Sequence, residues 1–187
     1  MQPKKYREYD SELFDKLHRL VIQEKDRRIE RIESTGLFKS EYFSEPITTN
    51  RASWHADALE QTKNTEVVFL DPDDGLETPR KHETNKATKK HVKWSELKDY
   101  YSRGQNVILY QHRPIMMKKE DCIKNIMIFQ NEYLQADYVK TLEFPKFTNR
   151  FYFIFLHKEY KPVFDSICNS MALKWSKNKF CFETKLD

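Results

Sequence analysis

Apolar side chains along the 187-residue chain recur at two different spacings, and each change of spacing marks an element. Leu13, Phe14, Leu17, Leu20 and Val21 recur at steps of three and four, which predicts an amphipathic helix begun by Asp10 or Ser11. Lys25 to Ser34 continues helical in a more polar form, with Ile29 and Ile32 on one side and Gly36 as its stop. Tyr42 and Phe43 ahead of Pro46 suggest a short extended piece. Arg51 to Gln61 reads as a further helix, with Ala52, His55, Ala58 and Leu59 facing inward.

Val67-Val68-Phe69-Leu70 is an unbroken apolar run between Glu66 and Asp71, the pattern of a parallel strand buried on both faces at the centre of a sheet. Thr78 to Lys93 has almost nothing to bury and reads as a mobile basic loop carrying Arg80, Lys81, Lys86, Lys89, Lys90 and Lys93. Trp94, Leu97 and Tyr101 mark a short helix that Ser95 begins and Arg103-Gly104-Gln105 ends, and Val107-Ile108-Leu109-Tyr110 is a second buried strand. Asp121 to Leu134 is helical, with Ile123, Ile126, Met127, Gln130 and Leu134 on one stripe and Cys122 and Phe129 beside it. Val139 to Phe144 and Phe151 to Leu156 are strands joined through Pro145 to Arg150 as an antiparallel hairpin. Pro162 opens a last helix with Val163, Phe164, Ile167, Cys168 and Met171 on its stripe, and Phe180 to Thr184 closes as an edge strand.

From residue 67 the order is strand, helix, strand, helix, strand, strand, helix, strand. That order predicts an α/β fold with an open, mainly parallel Rossmann-like sheet, right-handed crossovers and a C-terminal antiparallel hairpin. Residues 1–187 are expected to form one domain, with 1–61 a mainly helical N-terminal segment and 62–187 the sheet-forming part.

Composition narrows the class. Hydrophobic residues at 39% and aromatics at 14% supply a core of large side chains despite 33% charged residues. The net charge of +4 is too balanced to indicate nucleic acid unless the charges cluster. Cys122, Cys168 and Cys181 are odd in number and lack C-x-x-C spacing, and two lie in apolar helical patterns, which points to a reducing, cytoplasmic setting. The start, Met1-Gln2-Pro3-Lys4-Lys5-Tyr6, has no apolar leader, and no window approaches the ~20 apolar residues of a membrane span. Gly36, Gly75 and Gly104 are isolated, so no glycine-rich phosphate loop can be assembled. Serine-hydrolase, HExxH and paired C-x-x-C signatures are lacking as well.

The chemistry concentrates where two strands end. Asp71, Asp73, Asp74 and Glu77 are four carboxylates in seven residues, suited to a hard divalent cation or to accepting hydrogen bonds from a substrate amine. Asp-Pro-Asp-Asp-Gly is equally a good turn sequence. It departs from the EF-hand pattern, with Gly75 at loop position 5 and His82 at position 12. Gln111, His112 and Arg113 follow the second buried strand. If the two strands are neighbours, their ends lie roughly 5 Å apart and both clusters line one cleft. His112 suits a general acid or base, and Arg113, held extended by Pro114, suits a carboxylate or phosphate. His82 and His91 read as solvated loop residues, and His18, His55 and His157 as packed or surface residues. The basic loop could close over a polyanion, with Trp94, Tyr100 and Tyr101 nearby to stack bases or to fill the core.

The stretches Val67-Val68-Phe69-Leu70-Asp71-Pro72-Asp73-Asp74-Gly75-Leu76-Glu77 and Arg103-Gly104-Gln105-Asn106-Val107-Ile108-Leu109-Tyr110-Gln111-His112-Arg113 resemble an uncharacterised bacterial and phage protein family, over the chain from about Asp10 onward. The chain also looks like the carboxyl half of a class I S-adenosylmethionine-dependent methyltransferase, in which a strand ends in Asp-Pro-Pro-Tyr or a relative and a hairpin closes the sheet. Asp73-Asp74 here stand where that family has a Pro-aromatic pair to cradle a target amine.

The leading expectation is a methyltransferase-like domain, degenerate at the cofactor end, that acts on or binds a nucleic-acid or nucleotide ligand. Asp71, Asp73 and His112 would be catalytic, and Asp74, Glu77, Gln111 and Arg113 would bind substrate. The rival is a Mg²⁺-dependent phosphodiesterase or nuclease with Asp71, Asp73 and Glu77 as metal ligands. A third class is a non-enzymatic, phage-type interaction protein using the same surface. S-adenosylmethionine and Mg²⁺ are thus the cofactors in view, with no membrane partner. A homodimer is expected, because nothing ahead of Val67 supplies a strand to pair with that edge.

Overall fold

A computed structural model of the chain describes residues 4–28, 30–146, 149–176 and 179–184. Ile29, residues 147–148 of the hairpin connection and Met1 to Pro3 lie outside the described residues. The chain divides into two compact units, Met1–Ser44 and Glu45–Asp187.

The first unit holds α1 (Lys4–Arg7), α2 (Ser11–His18) and α3 (Glu30–Glu33). Asp10 caps α2 as its sequence suggests, its carboxylate accepting from Leu13 N at 3.0 Å, and the helix runs on as a π turn over Arg19–Gln23. The polar continuation from Lys25 does not form. Lys25 takes φ 53°, and the Asp26 carboxylate accepts from the Arg28 backbone N–H at 3.1 Å and from its guanidinium at 2.6 Å. That local closure competes with the helical ladder and delays the next helix to Glu30. Tyr42 and Phe43 form no strand.

The second unit begins with α4 (Arg51–Gln61), capped by Asn50, and continues through β1 (Val67–Leu70), β2 (Gly75–Leu76), α5 (Pro79–Glu83), β3 (His91–Val92) and α6 (Trp94–Ser102). Next come β4 (Asn106–His112), α7 (Lys119–Phe129, extended by a π turn over Gln130–Leu134), β5 (Tyr138–Phe144), β6 (Arg150–Leu156), α8 (Lys161–Ser176) and β7 (Phe182–Glu183). On α4 only His55 and Ala58 are buried, and Ala52 is exposed.

The fold is mixed α/β, and the expected mainly parallel sheet gives way to a mixed one in which most pairings are antiparallel. Its five strands lie in the order β1-β4-β6-β5-β7, with β1 and β4 parallel and every other pair antiparallel. The hairpin partner β6 lies between β4 and β5, so the three strands β1, β4 and β5 still run in one direction. A separate two-stranded parallel pair joins β2 to β3. β1 is an edge strand rather than a central one: Val68 is buried, while Val67 and Phe69 are 36% and 53% exposed.

Alternation splits the sheet's side chains between two cores. On one face Val68, Val107, Leu109, Phe151, Phe153 and Phe155 pack with Trp94 and Leu97 of α6 and with Cys122, Ile126 and Phe129 of α7. The buried stripe of α7 is therefore turned slightly from the one centred on Ile123. On the other face Ile154, Leu142 and Leu156 pack with Cys168, Phe164, Met171 and Trp175 of α8 and its neighbours. Val163 and Ile167, expected on that stripe, are 56% and 53% exposed. All three cysteines are free and buried, and burial pushes the thiols of Cys122 and Cys181 up to about 12. Among the described residues no helix is long and apolar enough to cross a membrane.

Candidate functional site

The acidic loop leaves β1 at Asp71 and is fastened at once to β4. Gln111 Oε1 accepts from Leu76 N at 2.9 Å, and its Nε2 donates to the carbonyls of Asp74 at 3.0 Å and His112 at 2.9 Å. The contact needs glycine at position 75. Its φ is +101°, and a Cβ there would lie 2.3 Å from Gln111 Oε1. From below, Asp74 N donates to Lys90 O at 2.9 Å and Glu77 N to Val92 O at 2.9 Å, which sets β2 beside β3.

Thr78 to Lys93 is thus no featureless loop. Thr78 caps α5, and the segment returns as β3 with His91 only 5% exposed. The expected ligand Glu77 is buried, with one carboxylate oxygen accepting from Trp94 N at 2.7 Å and standing 3.1 Å from His82 Nδ1. Trp94 Nε1 donates to Glu77 O at 2.8 Å, and the His82 ring stacks on Trp94 at 4.1 Å. Glu77 therefore serves the first turn of α6, whose N–H groups have no partner within the helix.

His91, read from sequence as solvated, sits 2.5 Å from Lys81 Nζ through Nε2, and the same nitrogen is 3.7 Å from the Asp74 carboxylate. Its Nδ1 is 3.0 Å from Thr88 Oγ1. Burial, then the Lys81 ammonium, hold its pKa below the usual histidine value. Beside it Arg51 of α4 forks onto Glu96 of α6 at 2.5 and 2.7 Å and donates to the carbonyls of His91 at 2.5 Å and Thr88 at 3.0 Å. Sequence reasoning missed Arg51, Lys81, His91 and Glu96, because none stands in a recognisable spacing. A groove of about 420 Å³ between α4 and α6, lined by Arg51, His55, Lys93, Glu96 and Asp99, holds none of the predicted site residues.

The other predicted residues lie across the sheet. Leu70 pairs with Leu109, so Asp71 comes opposite Tyr110 and shares its face, while Gln111 points through the opposite one. On the Asp71 face β4 carries Tyr110 and His112, and β6 sets Tyr152 and Arg150 opposite them. Burial, with the Asp73 carboxylate adding to it, raises the Asp71 pKa. Arg113 turns back instead: its N–H donates to Asn149 O at 3.1 Å and its Nη1 to Met117 O at 2.8 Å, closing the turn that follows β4. That turn exposes Ile115 and Met116 at 92% and 95%.

The expected single cleft is therefore two half-sites. Asp74, Glu77 and Gln111 work on the α6 side as structural groups, and Asp71 and His112 stand on the open face with Asp73 near Asp71. Glu77 is not free to join Asp71 and Asp73 around a cation, and among the described residues no group of three or more His, Cys, Asp or Glu side chains is arranged to hold a metal ion. Among the described residues no strand precedes β1, and Gly36 is the one glycine ahead of it, so no glycine-rich strand-end turn is present to hold S-adenosylmethionine. No family model, curated protein or solved structure matches the chain.

Proposed function

We propose that the chain is a methyltransferase-like α/β domain that binds a nucleotide or nucleic-acid ligand at the carboxyl ends of β1 and β4. The observation that carries this reading is the Gln111 lock. It fixes the acidic loop at the end of two adjacent parallel strands, where ligands of open α/β sheets bind, and leaves the Asp71 and Asp73 carboxylates outside it. Carboxylates at that place accept from the amine of a base, and the exposed Lys86, Lys89 and Lys90 of the returning segment suit phosphate. The shared direction of β1, β4 and β5, with β6 threaded between the last two, supports the likeness to a methyltransferase sheet closed by a hairpin. Binding, rather than methyl transfer, is the activity proposed, because Gly36, the one glycine ahead of β1, is isolated and supplies no glycine-rich turn to hold the cofactor.

Calorimetry with S-adenosylmethionine, Mg²⁺, adenosine monophosphate and a single-stranded oligonucleotide tests it. Heat of binding is expected with the nucleotide or oligonucleotide and is expected to fall in Asp71→Ala. Binding of Mg²⁺ or S-adenosylmethionine with no nucleotide or oligonucleotide response would overturn it.

A further inference from the structure

The face of the sheet that carries Asp71 is only partly covered. α8 shields its β5 and β6 side, where Phe144 meets Trp175 at 6.3 Å between ring centroids. Toward β1 the cover ends and a row of rings continues. Tyr152 lies 5.3 Å from Phe144 and 5.7 Å from Tyr110, both edge-on to it at 83° and 64°, and 6.2 Å from Phe69, which is tilted by 35°. Phe69 is 53% exposed at the open end of that row. Phe69 is therefore not a lone exposed side chain but the solvent end of a continuous ring cluster, the kind of apolar surface that suits a ligand.

The polar groups around the rings identify its chemistry. Asp71 lies in line after Phe69 with an acceptor carboxylate close enough to influence Tyr152. Arg150, opposite His112, bonds Tyr152 through its side chain and keeps a buried Nε without a hydrogen-bond partner among the described residues, so a guanidinium suited to an anionic oxygen is held beside the rings. The exposed face of Phe69, braced from behind by Tyr152, with a carboxylate acceptor on one side and a guanidinium on the other, matches a planar base bearing an exocyclic amine and a neighbouring phosphate. A lipid surface has no use for the carboxylate, and a duplex hides the faces of its bases.

We infer that the exposed Phe69 ring, backed by Tyr152 and edged by Tyr110, is a stacking platform for an unpaired base of a single-stranded nucleic acid, with Asp71 accepting from its amine and Arg150 contacting the adjacent phosphate. The inference rests on the nucleic-acid reading above and narrows it to unpaired strands with amine-bearing bases. Fluorescence anisotropy with a labelled oligo-dA of about 12 nucleotides, its duplex with oligo-dT, and oligo-dT alone provides the test. The wild-type chain is expected to prefer single-stranded oligo-dA to both. Phe69→Ala is expected to weaken that binding roughly 10-fold, Phe69→Tyr to retain it, and Asp71→Ala to reduce the preference for oligo-dA over oligo-dT, with circular dichroism unchanged in all three. Phe69→Ala binding like wild type, or the duplex binding as tightly as the strand, overturns the platform and leaves the wider nucleotide reading in place. Wild-type chain that binds adenosine monophosphate but no oligonucleotide also overturns the platform alone, and wild-type chain that binds none of these probes overturns both.

Discussion

Gly75 and Gln111 act as one unit, because the amide of one occupies the space where the other would carry a Cβ. Gly75→Ala adds that clash to an unfavourable φ of +101° and is expected to cost about 2–4 kcal/mol. Gln111→Ala removes the partners of Leu76 N and Asp74 O and is expected to cost about 2 kcal/mol or more. In the double variant the clash is gone, so urea unfolding should show it to cost less than the sum of the two single variants by about 1 kcal/mol or more. Strict additivity would mean that Gln111 does not rest on Gly75. Two titratable groups add predictions of opposite sign. Asp71 has a raised pKa, so its contribution is fully present below the ordinary carboxylate value of 3.8 and is lost as pH rises through the folded value. Asp71→Asn should therefore raise the melting temperature at pH 7, with the gain shrinking toward acid pH and kept below about 1 kcal/mol by solvent screening. His91 has a lowered pKa, so its contribution is present above the ordinary 6.5 and is lost as pH falls through the folded value. Its imidazole should titrate below 6.5 by NMR, and titration at or above that value would contradict the buried placement.

Among the elements, α4 and α6 are joined by the Arg51–Glu96 fork, and Glu96 also accepts from the Lys93 backbone N–H at 2.9 Å to cap its own helix. Both side chains are largely buried, so Arg51→Met leaves a carboxylate without its cation and is expected to cost about 3–5 kcal/mol in thermal or urea unfolding. A loss under 1 kcal/mol would place the pair in solvent. Periodicity found α2, α4, α6, α7, α8 and the strands of the five-stranded sheet, because each owes its existence to an apolar face, but not β2 or β3. It could not order them in space: β6 slips between β4 and β5, and no local pattern encodes that. The run Val67 to Leu70 looks doubly buried, yet only Val68 and Leu70 serve the inner core and Phe69 stands on the open face. Residues 78–93 escaped recognition since their order comes from long-range polar contacts to Glu77, Arg51 and Trp94. The candidate site was legible as a location, but its division was overlooked: Gln111 and His112 are neighbours in a strand, and alternation alone sends them to opposite faces.

At the scale of the whole molecule, the outer edge of β1 is where the expected homodimer would form. Asn106 N donates to Glu66 O at 2.9 Å, which fixes the register so that Val68 and Leu70 address β4 while the backbone groups of Val67 and Phe69 point to the free edge. The side chains of the same two residues are 36% and 53% exposed, so this edge offers both unpaired backbone groups and apolar surface. A two-fold axis beside β1 would pair it antiparallel with its copy and join two five-stranded sheets into one. Such pairing consumes backbone groups and leaves the Phe69 ring on the sheet face, so it is compatible with a ligand there. Sedimentation at micromolar concentration is expected to show a species of twice 22.7 kDa that dissociates on dilution. Val67→Lys should shift it to the monomer, because a charged side chain on the edge must be desolvated on pairing while the isolated strand tolerates it. A single 22.7 kDa species at every concentration would exclude the edge as an interface. It would then be the shortness of β1, four residues ending two positions before Pro72, that keeps the sheet from growing.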